Sequence, residues 1–248
     1  MKHIASCSFG KDSVATILLA IENNEPLDIV LFSEVMFSHS ENISGENPEH
    51  IKWIYTTAIP KLQQMGIQVE VVRAKKDYIS YFSQKVIRGK RAGTIRGFPL
   101  GGRCLVNKEL KVKPIKDWLK KIEGEYIQYI GIATDEPDRL DRLSGSKVSL
   151  LAKYGYTEQM AKRKCEEYEL LSPIYKTTNR GGCWFCPNRS YKAFALFKQE
   201  HPELWSRLLK LGQTPNLCYY GFKYGKTIEQ VDKKLNIFVN QIEIDFGQ

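Results

Sequence analysis

The first helix and the turn before it constrain the fold of this chain most. Residues 2–7 form an apolar, strand-like stretch, the segment Ser8-Phe9-Gly10-Lys11-Asp12-Ser13 follows, and apolar residues from 14 to 21 then recur with helical spacing. The first N–H groups of a helix have no partner within the helix, and the helix dipole favours negative charge there. A strand that turns through glycine onto a helix therefore predicts an anion site.

The side chains of this turn suit phosphate oxygens. Gly10 allows a close approach of the backbone, Lys11 brings a positive charge, and Ser8 and Ser13 offer hydroxyl donors. Asp12 is a carboxylate beside this anion site, which indicates that it helps to hold Mg²⁺. The spacing differs from that of a Walker A loop and of a dinucleotide-binding loop.

Strand and helix patterns alternate along the first 145 residues. The Gly- and Arg-rich segment 88–103 is predicted to be a loop. Alternation of this kind predicts an α/β protein with a doubly wound parallel sheet that binds ligands at the carboxyl ends of its strands. Strands are predicted at 2–7, 27–33, 67–72 and 126–132, and helices at 12–24, 47–66, 78–87 and 114–122.

The pattern changes after residue 145, where strands give way to helices predicted at 157–168, 190–211 and 227–240. The sequence therefore predicts a sheet domain of residues 1–145 and a helical, cysteine-bearing extension of residues 146–248 that packs on it.

The six residues from Ser8 to Ser13 resemble the PP-loop, Ser-Gly-Gly-Lys-Asp-Ser, of the adenine-nucleotide α-hydrolase-like superfamily. Phe9 replaces the first glycine, as in members of the phosphoadenosine phosphosulfate (PAPS) reductase family. The resemblance implies a Rossmann-like fold and an adenine nucleotide, either ATP or PAPS/APS. It also implies catalytic roles for Lys11 and Asp12 and nucleotide binding by the whole loop.

The segment from Ile130 to Arg139 resembles a Gly-x-Arg-x-x-Glu-Ser segment of PAPS reductase relatives, although it lacks the Arg and the Ser of that pattern. By this resemblance, Asp135 and Glu136 bind Mg²⁺ or a ribose hydroxyl, and Arg139 binds phosphate or sulfate. A solvated turn is the alternative for the same residues.

Two further segments complete the predicted nucleotide site. Cys104 and Lys111 resemble a family stretch in which cysteines precede basic residues, although the spacing here is longer. Lys111 is therefore a predicted nucleotide-binding residue. Glu34, directly after the second predicted strand, is another.

The sequence contains six cysteines, which a chain predicted to be cytoplasmic uses as thiols or metal ligands more often than as disulfides. Cys183 and Cys186 form a C-x₂-C pair in a Gly-rich turn, a spacing at which two thiolates chelate one metal. With Cys104 and Cys165 they make a predicted Cys₄ site. Thiolates fit a 4Fe–4S cluster, which relatives with scattered cysteines often carry, or Zn²⁺. Buried free thiols are the remaining alternative.

Positive charge is concentrated in the segment 73–121, which has fifteen Lys and Arg against three Asp and Glu in a chain of net charge +9. This segment, with Tyr78 and Phe98 interleaved, predicts contact with a nucleic acid, and a solvated basic face is the alternative. No apolar stretch is long enough for a membrane span, and no signal peptide is evident. The sequence predicts no oligomeric state.

The resemblance implies an enzyme that cleaves ATP between its α- and β-phosphates and couples adenylation to transfer of sulfur or another group, with a nucleic acid as a possible acceptor. PAPS reductases attack the sulfonate with a cysteine near the C-terminus. This chain has no Cys after Cys218, so strict PAPS reduction is not expected. A PAPS- or APS-handling reductase or sulfotransferase-like enzyme and a non-catalytic binder of nucleotides or nucleic acid remain the alternatives.

Overall fold

The computed structural model describes residues 1–99, 104–178 and 181–245, with side chains up to residue 237. The strands in these residues are β1 (Lys2–Cys7), β2 (Ile29–Glu34), β3 (Met36–Ser38), β4 (Ile43–Ser44), β5 (Gln68–Arg73), β6 (Ile95–Gly97), β7 (Tyr126–Ile130), β8 (Lys147–Val148), β9 (Leu217–Tyr219), β10 (Gly221–Lys223) and β11 (Lys226–Thr227). The α-helices are α1 (Lys11–Glu22), α2 (Pro48–Trp53), α3 (Ile59–Gln64), α4 (Tyr78–Phe82), α5 (Lys113–Leu119), α6 (Pro137–Leu140), α7 (Leu150–Lys153), α8 (Glu158–Glu167), α9 (Tyr191–Glu200), α10 (Pro202–Gly212) and α11 (Ile228–Asp245).

A five-stranded sheet in the order β5-β2-β1-β7-β8 carries the fold, and all of its neighbouring strands are parallel. β1 lies in the middle, with Ile4 opposite Ile29 on one side and Ala5 opposite Tyr129 on the other. β8 has two residues, too few for a sequence pattern to predict. The predicted α/β class with a parallel sheet is confirmed.

Helices cover both faces of this sheet, as in a doubly wound fold. One face is packed by α1, whose residues from Ser13 to Ala20 are all buried. α7 and α8 pack against α1 in the same core. On the other face, Leu119 of α5 is buried with Ile4 and Leu31.

The chain divides into two compact units that are discontinuous in sequence. The sheet unit comprises Met1–Glu34, Glu46–Ala74 and Glu109–Gly181. The aromatic unit comprises Val35–Gly45, Lys75–Lys108 and Gly182–Gln248. This division differs from the predicted boundary at residue 145, because α7 and α8 belong to the core of the sheet unit.

Aromatic side chains form the core of the aromatic unit. Phe37 packs against Trp184 with ring centroids 4.6 Å apart, and Tyr78 packs against Phe185 at 4.2 Å. Phe98 contacts Phe82 and Phe222 in the same unit. Tyr78 and Phe98 are thus buried core residues, so the predicted display of these two rings on a nucleic-acid surface is wrong.

No helix in the described part of the chain combines the length and apolar character needed to cross a membrane.

Candidate functional site

The segment Ser8–Ser13 leaves the carboxyl end of β1 and enters α1, which begins at Lys11. Ser13 braces the loop from inside: its Oγ accepts the Ser8 N–H at 3.2 Å and donates to the Gly10 carbonyl oxygen at 2.9 Å. The Ser13 hydroxyl, predicted to face a ligand, is therefore engaged within the loop itself. The N-terminal N–H groups of α1 lie at the end of the strand, as the sequence predicts.

Phe9 has a left-handed backbone with φ of 55°, a conformation that is rare for residues with bulky side chains. Its ring is 1% exposed and packs edge-on against Phe32, with centroids 5.2 Å apart. The position at which the PP-loop motif has glycine is thus the position that demands positive φ. Because the ring is buried in the core, it does not cover the loop.

Gly10 has an ordinary φ of −75°, so its backbone conformation does not require glycine. A Cβ at Gly10 would lie 3.2 Å from the Tyr175 hydroxyl oxygen, a tight contact at which the tyrosine would have to move by a few tenths of an ångström. That oxygen accepts the Lys11 N–H at 3.0 Å. Tyr175 therefore contacts the loop directly, a role that its distant place in the sequence did not reveal.

Gly131, just after β7, allows the strand to approach the start of α1. A Cβ there would lie 2.7 Å from the Asp12 carbonyl carbon and 2.8 Å from the Ser13 nitrogen. Both atoms belong to backbone and cannot move independently. Gly131 thus sets the position of the loop against the sheet.

Lys11 and Asp12 form an ion-paired centre with Glu158, the first residue of α8. The Lys11 Nζ lies 2.8 Å from Asp12 Oδ1 and 2.7 Å from Glu158 Oε2. Burial acts to lower the pKa of Lys11, but the hydrogen bonds to both carboxylates outweigh it and the pKa is raised. Glu158 was not among the predicted site residues.

The pKa of Asp12 is raised, mainly because the carboxyl group is buried. Lys11 opposes this shift, whereas the negative charges of Glu158 and Glu136 add to it. Two carboxylates therefore bind Lys11 at the start of α1, and the negative charge of a third, Glu136, acts on Asp12. Carboxylate oxygens are the ligands that Mg²⁺ takes from proteins.

The residues of the second predicted segment are partnered locally. Asp135 accepts the Glu158 N–H at 3.1 Å, so it fixes the start of α8. Glu136 accepts from the Arg139 guanidinium, and its second carboxylate oxygen lies 3.4 Å from the Ala133 nitrogen. Of these residues, Glu136 acts electrostatically on Asp12.

Glu34 ends β2 with a buried carboxylate that is already occupied. Its Oε2 accepts from the Tyr55 hydroxyl at 2.7 Å and from Arg73 Nη2 at 2.7 Å. This arrangement ties the carboxyl end of β2 to that of β5. The predicted role of Glu34 in nucleotide binding remains a prediction.

A second polar cluster contains the predicted residue Lys111 together with two residues that sequence reasoning missed, Glu46 and His50. Lys111 Nζ is 3.8 Å from Oε1 of Glu46, a buried carboxylate. His50 is also buried, with Nε2 3.2 Å from the Ser8 carbonyl oxygen and Nδ1 2.7 Å from the Ser172 hydroxyl. Burial lowers the pKa of His50. The neutral ring therefore donates from Nε2 to the loop and accepts from Ser172.

Three of the four predicted metal ligands line one apolar pocket in the aromatic unit. Cys104, Cys183 and Cys186 share this pocket with Tyr78 and Phe222. The pKa of Tyr78 is strongly raised, first by burial and then by the negative charges of the three cysteines. Sulfur is the donor that a soft metal or an iron–sulfur cluster prefers, but the three sulfur atoms do not all lie within 4.8 Å of one another.

Cys165, the fourth predicted ligand, lies elsewhere. Its Sγ is buried in the sheet unit and donates to the Lys11 carbonyl oxygen at 3.1 Å. Burial raises its pKa to about 12, so without a metal the group is a thiol at neutral pH. The four-cysteine set is corrected to the three thiols of the pocket.

The structure combines a parallel sheet, a glycine-containing loop at the carboxyl end of its central strand and a lysine–carboxylate centre, which is the arrangement that the predicted PP-loop requires. The narrower resemblance to the PAPS reductase family remains a prediction.

Comparison with known proteins adds a structural likeness. The chain is similar to the solved U34-tRNA thiolase NcsA from Methanococcus maripaludis with its 4Fe–4S cluster, at 14% sequence identity and a TM-score of 0.42. The match covers 95% of this chain and 81% of that one. No family model matches the chain, and no curated protein matches it. Similarity of this degree assigns neither an activity nor a ligand.

Proposed function

We propose that this chain is an ATP-dependent transferase that cleaves ATP between the α- and β-phosphates and transfers sulfur to a nucleic acid. The observation that carries the proposal is the loop Ser8–Ser13, with Lys11 held by Asp12 and Glu158 at the start of α1. This arrangement offers N–H donors, one ammonium group and several carboxylates at one point.

In the proposed reaction an acceptor oxygen attacks the α-phosphorus of ATP, and the bond to the pyrophosphate oxygen breaks. Asp12 and its neighbouring carboxylates would hold Mg²⁺, which would supply positive charge against the phosphates. Lys11, released from those carboxylates, then turns its ammonium group to the departing pyrophosphate. In the second step a sulfide-level donor attacks the adenylated carbon of the acceptor. The new carbon–sulfur bond replaces the carbon–oxygen bond, and AMP leaves with that oxygen.

The thiol pocket is the proposed sulfur-handling site. Cys104, Cys183 and Cys186 would hold a 4Fe–4S cluster, or Zn²⁺ as the alternative, through their thiolates. When bound, the metal centre supplies a place to carry or polarise sulfur. The apolar lining of the pocket would keep water from the thiolates.

Charge and exposed rings in the aromatic unit support a nucleic acid as acceptor. Residues 75–108 contain nine Lys and Arg and one acidic residue. The exposed Arg91 stacks its guanidinium over the Tyr219 ring at 4.5 Å, and Tyr219 and Tyr220 are both about half exposed. Exposed rings beside cations are the features with which proteins bind single-stranded nucleic acids.

The test is the product formed from ATP labelled at the α-phosphate, with Mg²⁺, sulfide as the sulfur donor and either RNA or DNA. We expect AMP and pyrophosphate, with PAPS and APS failing to replace ATP. Lys11→Ala should lower the rate about 100-fold, the loss typical of a removed electrostatic stabiliser. Lys61→Ala, at a lysine of the same unit that pairs with Glu169, is the matched control and should leave the rate unchanged. Release of ADP, or no consumption of ATP with either nucleic acid, would overturn the proposal.

A further inference from the structure

Lys223 is a buried lysine of the aromatic unit, at the end of β10. It is 4% exposed. Its Nζ donates to the Pro187 carbonyl oxygen at 2.6 Å and to the Arg189 carbonyl oxygen at 2.7 Å. Both carbonyl groups belong to the turn that follows Cys186, so the ammonium group holds that turn from within.

Among the described side chains, no carboxylate forms an ion pair with Lys223. None of the ion pairs formed within the described residues includes Lys223. Its nearest ring is that of Tyr224, with Nζ 4.5 Å from the centroid, and Tyr191 lies at 5.3 Å. Rings and carbonyl oxygens solvate a buried cation in part, but a protein rarely retains such a charge without a counter-charge.

The C-x₂-C turn is fixed on its other side as well. Trp184, between the two cysteines, donates its backbone N–H to the Gly45 carbonyl oxygen at 3.0 Å and its indole Nε1–H to the Ser44 carbonyl oxygen at 2.9 Å. Phe222, the residue before Lys223, lines the thiol pocket. β10 therefore places an ammonium group beside the turn and a ring in the pocket.

We infer that Lys223 is a positioning residue that supplies the counter-charge for a negatively charged thiolate–metal centre at Cys104, Cys183 and Cys186. The inference rests on the metal centre of the proposed function and goes beyond it by naming what makes the pocket accept an anionic group. Three thiolates carry more negative charge than one divalent cation neutralises. The Lys223 ammonium group, held on the turn that carries Cys186, offsets the negative charge that remains.

The experiment is an anaerobic titration of the full chain with Co²⁺, followed by the charge-transfer absorption of cobalt–thiolate bonds. Lys223→Met removes the charge at similar length, and Lys223→Gln removes the charge but keeps N–H donors. Lys226→Met, at an exposed lysine of β11, is the control with the same change in net charge. We expect Co²⁺ affinity about 10- to 100-fold lower in both Lys223 variants, the range for lost second-sphere partners, and unchanged affinity in the control.

Thermal unfolding separates this role from a packing role. Without metal, Lys223→Met should unfold at or above the wild-type temperature, because an unbalanced buried charge is gone. With metal, it should unfold below the wild type. Wild-type affinity in either Lys223 variant would overturn the inference, as would an equal loss of stability with and without metal. If Lys223→Met fails to fold, Lys223→Gln decides in the same way. A wild-type chain with no cobalt–thiolate absorption would overturn the metal centre, while Lys11-dependent cleavage of ATP would still stand.

Discussion

The Cys165 thiol donates a hydrogen bond to the Lys11 carbonyl oxygen, with 3.1 Å between sulfur and oxygen. This contact links α8 to the first residue of α1. The helix that carries Cys165 also begins with Glu158, which pairs with the Lys11 ammonium group. α8 therefore contacts Lys11 twice: Cys165 donates to the Lys11 backbone, and Glu158 pairs with the Lys11 ammonium group.

Alkylation should separate the cysteines into two classes. Burial raises the pKa of Cys7 to about 11 and that of Cys165 to about 12, so neither forms a reactive thiolate at pH 8. We expect iodoacetamide to modify the three pocket cysteines and Cys218 but to leave Cys7 and Cys165 intact in the folded chain. Mass spectrometry of the digested protein measures this. Prior loading with metal should protect the pocket cysteines alone, and equal labelling of Cys165 and Cys218 would contradict the assignment.

Gly131→Ala should displace the loop Ser8–Ser13. The added Cβ would lie within 2.8 Å of backbone atoms of Asp12 and Ser13, which can yield only if α1 shifts from β7. We expect a loss of about 1–3 kcal/mol in the free energy of unfolding, as for other overpacked sites, together with loss of ATP cleavage.

Gly181→Ala is the control for this substitution. Its Cβ would meet the Ile174 side chain at an ordinary contact distance of 3.5 Å. Urea unfolding should show no comparable loss in that variant. Equal stability of Gly131→Ala and the wild type would mean that the loop tolerates a shift of the strand.

Asp12→Asn should abolish ATP cleavage while leaving the chain as stable as the wild type or more so. Burial, with the charges of Glu158 and Glu136, raises the pKa of Asp12 above its ordinary value of 3.8. The folded chain therefore disfavours the ionised form, in spite of the pairing with Lys11. A carboxylate at this position lowers the stability of the fold, so its presence is better explained by a functional role than by folding.

The pH dependence of stability follows from the sign of this shift. A carboxyl group whose pKa is raised by folding stabilises the folded state when protonated, and this contribution is lost as pH rises through the raised pKa. Lowering the pH from 7 through that pKa should thus stabilise the wild type relative to Asp12→Asn. Thermal melts of the wild type and Asp12→Asn at each pH measure the difference in stability. A wild type that loses stability relative to Asp12→Asn as the pH falls would contradict the raised pKa.

Local sequence was sufficient to predict the parts of the site that are contiguous in the chain. The loop and the helix after it follow from a glycine, a lysine and apolar spacing over a dozen residues. Tyr175, which contacts Lys11 from 164 residues away, leaves no such pattern. Cys165 was predicted as a metal ligand for a related reason. The spacing of cysteines in the sequence does not distinguish a metal ligand from a thiol that donates to a backbone carbonyl.

The division of the chain into two units also depends on long-range contacts, which the hydrophobic periodicity of the sequence does not predict. The segments 35–45 and 75–108 leave the sheet at strand ends and pack with residues after 181 through aromatic rings. Tyr78 was predicted to face a nucleic acid because it lies among lysines. It is buried because its ring packs against Phe37 and Phe185.

Phe9 offers a comparison of backbone strain with core packing at one residue. Phe9→Ala removes the ring from its contact with Phe32 but keeps a Cβ at φ of 55°, whereas Phe9→Gly also relieves that conformation. Loss of a buried phenylalanine ring destabilises by about 3–5 kcal/mol. A left-handed conformation costs about 1–2 kcal/mol in residues other than glycine. Both variants should therefore be less stable than the wild type in urea, and Phe9→Gly should be more stable than Phe9→Ala by about 1 kcal/mol. The reverse order would mean that the left-handed backbone at residue 9 costs less in alanine than the added chain freedom of glycine costs.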